Sequence, residues 1–162
     1  MSEAERLNYI NHIINVPSEV RFIKELTEYL KKKNNFFEKF DWWMFSKIDQ
    51  TLDNVNFPYY SSDDNKFHPF HPDFIFWMKK GKEYYILFID PKGTAHTKAL
   101  LQIDAFSKLF NDEKKKSLKF KYNEYDVYVK LLFIPDNISR IPEDYSSFYF
   151  DNINQINTKI KL

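Results

Sequence analysis

The spacing of apolar and polar positions changes several times along the chain, and each change predicts an element. Residues 3–15 carry apolar side chains at helical spacing and predict a short amphipathic helix that Pro17 breaks. Ser18 is a suitable N-cap for a second helix over about 19–33. Residues 36–60 are rich in aromatics and mixed in period, with 42–48 the best strand candidate. Residues 60–70 are polar and read as a turn. Next comes an apolar run, a polar turn and a second apolar run, PDFIFWMKKGKEYYILFIDPKG, which predicts a β-hairpin. A helix over 97–110, a charged loop and a strand over 125–134 ended by Pro135 follow. The last 25 residues mix Pro, Ser and Asn with aromatics and predict no element. Helices alternating with strands make this an α/β protein with a central mixed β-sheet flanked by helices.

Within the second helix, at about 100° per residue, Glu19 falls inside the apolar stripe of Ile23, Leu26 and Leu30. Glu25 and Glu28 face the other way. A first-turn glutamate also favours the positive end of the helix dipole, so the inward azimuth is what makes Glu19 a candidate. In the helix after the hairpin, Gln102 lies on the flank of the face carrying Ala99, Ile103, Phe106 and Phe110. A flanking glutamine is ordinarily a surface residue; here it is a candidate for touching DNA or a metal-bound water.

The hairpin carries the strongest chemical signal. With Gly81 and Lys82 as its turn residues, Asp73 and Asp90 fall opposite each other, about 5 Å apart at Cβ. Like charges facing each other destabilise a sheet, and a cation between them offsets that cost. Lys92 lies two residues beyond Asp90, on the same face by strand periodicity. Pro91 ends or bulges the strand there. Two carboxylates and an ammonium thus converge at one end of the hairpin. Oxygen-only donors with open positions suit Mg²⁺, with Mn²⁺ as a substitute. His68 and His71 flank Pro69-Phe70 and read as loop residues. His96 starts the following helix close to Lys92, within reach of a phosphate.

Composition removes competing chemistries. The 162 residues include no cysteine, which excludes disulfides, thiolate nucleophiles and cysteine-ligated metals. The two glycines, Gly81 and Gly93, cannot build a dinucleotide-binding turn or a phosphate-binding loop. The net charge of +1 neither demands nor forbids nucleic acid. The runs Lys31–Lys33 and Lys114–Lys116, with Lys119 and Lys121, read as solvated helix ends and loops or as phosphate contacts. Three arginines are few for base-specific readout. No apolar run approaches the roughly 20 residues of a membrane span, and the charged N-terminal turn has no signal-peptide core. A cytoplasmic protein without a membrane partner is expected.

Pro72-Asp73, sixteen residues and then Asp90-Pro91-Lys92 match the PD-(D/E)XK nuclease pattern. The surrounding segments DWWMFSKIDQTLDNVNFPYY and FHPDFIFWMKKGKEYYILFIDPKGTAHTKALLQID, with SEVRFIKELTEYL before them, resemble the C-terminal endonuclease domain of Type III restriction enzyme Res subunits. The resemblance spans about 18–110. It implies a restriction-endonuclease-like fold and a Mg²⁺-dependent deoxyribonuclease cutting DNA phosphodiesters. It also implies Asp73 and Asp90 as metal ligands, Lys92 as the residue that orients or deprotonates the attacking water, and Glu19 as support for the metal site. Gln102 with Phe106 is similar to the Q-x-x-x-Y element of RecB-type nucleases, with Phe in place of Tyr. Residues 1–162 then form one nuclease-like domain, its core at about 18–135, with the N-terminal helix and the C-terminal segment as additions. The chain has no room for the helicase of those systems, so partners would include helicase/ATPase and methylation subunits beside DNA, and an oligomer is possible since restriction cuts two strands. The alternatives are a nuclease-fold module that binds DNA or docks a subunit without useful catalysis, an interaction domain using surface aromatics, and, for Asp73 and Lys92, a surface salt bridge on a hairpin.

Overall fold

The structure, a computed structural model, describes residue 14 and residues 16–91, 97–135 and 141–160. The elements are α1 (Pro17–Leu30), β1 (Trp42–Lys47), β2 (Phe57–Ser61), β3 (Lys66–Phe70), β4 (Phe74–Lys80), β5 (Glu83–Asp90), α2 (Thr97–Phe110), β6 (Phe120–Tyr122), β7 (Tyr125–Phe133) and the short α3 (Ile156–Lys159). Short 3-10 turns lie at Phe36–Lys39, Glu143–Phe148 and Ile153–Gln155. The helix expected over 3–15 lies outside the described residues apart from Ile14.

Five strands form one mixed sheet in the order β1-β4-β5-β7-β6. The β5–β7 pair is parallel and the other three are antiparallel. The α/β class with a mixed sheet between helices is therefore the observed architecture. β2 and β3 form a separate antiparallel hairpin. It corrects the expected polar turn over 60–70: the turn proper is only 62–65, closed by Asn65 at φ 53. Pro58 and Pro69 face each other in this hairpin, and neither can donate to a ladder, which is why the segment hides its strands. β6 likewise lies inside the expected charged loop.

Alternation along the strands divides the core in two. Phe74, Phe76 and Met78 of β4 and Tyr85, Leu87 and Ile89 of β5 face one layer. That layer contains Phe22, Ile23 and Leu26 of α1, the Phe36–Lys39 turn, and Phe150, Ile153, Ile156 and Ile160. Ile75 and Phe88 face the other layer, with Ile103 and Phe106 of α2, Phe57 and Tyr59 of β2, Val129, Leu131 and Phe133 of β7, and Phe148 and Tyr149. Phe57 joins β2 to α2 and β5, its ring 5.0 Å from Phe88 and 5.6 Å from Phe106. Each phenylalanine so buried contributes roughly 1.5–3 kcal/mol of apolar burial. The C-terminal segment, for which the apolar pattern predicts no element, thus seals both layers.

α1 begins two residues earlier than expected. Pro17 is its first residue, since the first turn has no use for the missing N–H. Val16 is the N-cap, and no side chain caps the end, so Ser18 does not play that part. The helix stops at Leu30 rather than residue 33. There Asn35 takes over: its Nδ2 donates to the Lys32 carbonyl at 3.0 Å and its Oδ1 accepts from the Phe37 N–H at 3.0 Å. One buried side chain thereby ends the helix and starts the next turn.

Candidate active site

The hairpin register is the one the sequence predicts. Lys80 pairs with Glu83 across Gly81 and Lys82, and Phe74 pairs with Ile89 at the other end. Gly81 has φ +57, the left-handed value a two-residue hairpin turn needs at its first position. One step past the last pair stand Asp73 and Asp90. Both are buried, at 6% and 0% exposure. Asp73 is therefore an interior residue rather than a solvent-exposed one.

Backbone contacts hold each aspartate from a second side. The Asp73 carbonyl accepts from the Ile48 N–H at 2.8 Å, which ties it to the end of β1. The Asp90 carbonyl accepts from the Ile134 N–H at 3.1 Å, continuing the parallel ladder past β7. Parity sets Asp90 on the α2 side, since Phe88 two residues earlier packs there. Tyr149 lies on that side too, in a bridge with Phe133 and with its ring 5.6 Å from the Phe133 ring. Its hydroxyl is buried without a hydrogen-bond partner among the described residues. Burial first, and the negative charge of Asp90 second, push the Tyr149 phenol up to about 12.

Glu19, in the first turn of α1, is 4% exposed. The inward azimuth expected for it is what the helix adopts. The Lys47 ammonium, from the last residue of β1, pairs directly with its carboxylate. A buried carboxylate is costly to ionise without such a partner. Glu19, Lys47 and Asp73 line one recess of about 410 Å³ with Val16, Ile48, Asp49 and Gln50. The recess therefore joins the start of α1, the end of β1 and the residue that precedes β4, while Asp90 does not line it.

Gln102 is 7% exposed on α2, buried rather than on a solvated flank. Lys92 and His96 lie outside the described residues. His68 sits in β3 rather than in a loop, with Nε2 2.8 Å from Asp64 Oδ2. His71 does lie between strands. The sequence pattern missed Lys47 and Tyr149. Lys47 carries a signal in retrospect, as the polar residue closing an aromatic strand; Tyr149 sits in a segment without period and carries none.

Among the described residues no three His, Asp or Glu side chains form a group able to hold a metal ion. A two-carboxylate set is smaller than that, and Asp73 and Asp90 supply hard oxygen donors from adjoining strand ends, which fit a divalent cation that keeps several waters. No helix among the described residues is long and apolar enough to cross a membrane.

Fold and site together define an α/β protein with buried carboxylates gathered at one end of a mixed sheet. Residues 10–127 match the YagJ family model, and the chain belongs to the YagJ family. No curated protein and no solved structure matches it.

Proposed function

We propose that this chain is a Mg²⁺-dependent deoxyribonuclease with a restriction-endonuclease-like, PD-(D/E)XK core, acting as the nuclease domain of a Type III-like restriction system. The observation that carries the reading is the β4–β5 register, which brings two buried aspartates to one strand end beside the Glu19–Lys47 pair. Asp73 and Asp90 would hold the cation, which when bound lowers the pKa of a water and binds the scissile phosphate. Lys92, two residues past Asp90, brings fixed positive charge to where negative charge grows. Lys47 neutralises Glu19 and keeps the α1 wall of the recess in place. Gln102 and His96 are the proposed contacts to DNA, and helicase/ATPase and methylation subunits the proposed partners.

The test is plasmid cleavage with Mg²⁺, by the chain alone and with its partner subunits, comparing wild type with Asp90→Ala and Lys92→Ala. Loss of cleavage in both variants is expected. Cleavage at the wild-type rate in both would overturn the assignment. A second reading, a nuclease-fold module that binds DNA or docks a subunit without cutting, draws on the aromatic sheet face left uncovered at the hairpin-turn end. Trp42, Met44 and Tyr122 are 39%, 55% and 70% exposed there. Mn²⁺ binding lost on Asp73→Asn and Asp90→Asn separates the two, since docking needs no cation.

A further inference from the structure

Four lysines gather at the outer edge of β7, away from the carboxylates. β6 pairs only with 125–127 of β7, so the edge beyond is left to other segments. The 111–117 turn and the C-terminal segment meet there around a recess. Two hollows there, of about 90 Å³ and 530 Å³, share Lys115, Ser117, Lys130, Ser147 and Lys159 in their linings. Lys116 adds a fourth ammonium in the larger hollow.

Lysines outnumber carboxylates in this recess four to one among the described lining residues. Lys130 Nζ donates to Ser117 Oγ at 3.1 Å, Lys159 Nζ to the Ser146 carbonyl at 2.9 Å and Lys115 Nζ to the Asp144 carbonyl at 2.6 Å. Each ammonium has three donors, so each retains two, and no neutral acceptor cancels a charge. Among the described residues none of these four lysines forms an ion pair, whereas Lys119 and Lys121 nearby in sequence both clasp Asp126. Among the described residues, the carboxylate in the larger hollow is Glu83, which accepts from the Tyr85 hydroxyl at 2.8 Å. Burial pulls the Lys130 ammonium below the usual lysine value, so the chain bears a desolvation cost that an anion would offset.

We propose that this recess binds a phosphate group, with Lys130 at its floor, Lys115 and Lys159 on its walls and the Ser117 and Ser147 hydroxyls completing the donor set. The phosphate comes either free or as the terminal monoester of a nucleotide. The inference is independent of the nuclease reading, since it uses none of the same residues.

The experiment is calorimetric titration of the full chain at constant ionic strength with inorganic phosphate, with a nucleoside 5′-monophosphate and with the unphosphorylated nucleoside. Saturable binding of one or both phosphates, and none of the nucleoside, is expected; the tighter of the two names the source. Lys130→Met keeps the aliphatic stem and should weaken binding by about tenfold or more, as should Lys159→Gln on the opposite wall. Equal melting temperatures for wild type and Lys159→Gln without ligand show that the fold is kept. Phosphate binding no stronger than chloride, or wild-type affinity in both variants, overturns the proposal.

Discussion

The two ends of the β4–β5 pair carry the same residue type under opposite conditions. At the turn end Asp41 is exposed, and its carboxylate accepts from the Gly81 N–H at 2.8 Å and from Lys79 Nζ at 3.3 Å. These contacts, the Gly81 N–H foremost, hold the Asp41 carboxyl below the usual aspartate range. At the open end Asp73 and Asp90 are buried side by side in sequence register. Asp41 shapes a turn at little cost because water solvates it. The open-end pair serves no turn and bears the desolvation of two carboxylates. Two strands with one ladder thus separate an exposed acid that shapes a turn from two acids set in the interior.

The largest effect that would sharpen this contrast is catalytic. Asp90→Asn keeps shape and burial and should lower Mg²⁺-dependent plasmid cleavage by about 10²–10³-fold, while Asp41→Asn leaves the cleavage rate unchanged. Equal losses from the two variants would erase the distinction between the ends. Next comes Lys47→Met, which leaves the Glu19 carboxylate buried without its ammonium. Urea unfolding should show a loss of about 3 kcal/mol, and Glu19→Gln in the same chain should restore most of it. Gly81→Ala comes third. An added Cβ meets nothing within 4 Å, so only the φ of +57 resists it. Its cost should be about 1–2 kcal/mol, with cleavage intact.

The smallest effect concerns pH. A carboxyl whose folded pKa lies below its unfolded value stabilises the fold above the unfolded value and loses that contribution as pH falls through the folded one. For Asp41 the window lies below about 3.8. Acid unfolding followed by circular dichroism should therefore fall less steeply in Asp41→Asn than in wild type over that range.

What the sequence discloses follows from how local its cause is. The β4–β5 hairpin, its turn at Gly81 and its register are local, set by two apolar runs and one glycine, and all three appear as predicted. α2 spans Thr97–Phe110 as its period demands. Glu19 shows itself because an acid in an apolar stripe breaks a local rule. Lys47 and Tyr149 do not. Lys47 meets Glu19 across 28 residues, and Tyr149 meets Phe133 and feels the charge of Asp90 from a distant part of the chain, which no window of residues contains. The β2–β3 hairpin stays hidden because its stability comes from packing on Phe88 and Phe106 rather than from its proline-bearing strands.

The C-terminal segment also has a bearing on how the chain is made. Ribosomes extend chains from the N-terminus at about 5–20 residues per second. Every strand of the sheet has been synthesised by Phe133, yet Phe148 and Tyr149 close one layer and Phe150, Ile153, Ile156 and Ile160 the other. Until those residues leave the exit tunnel, each layer lacks part of its apolar cover. Nascent chains of this protein should therefore depend on chaperone cover late in synthesis, and a stop codon just before residue 148 should be as ruinous as one in the middle of the sheet.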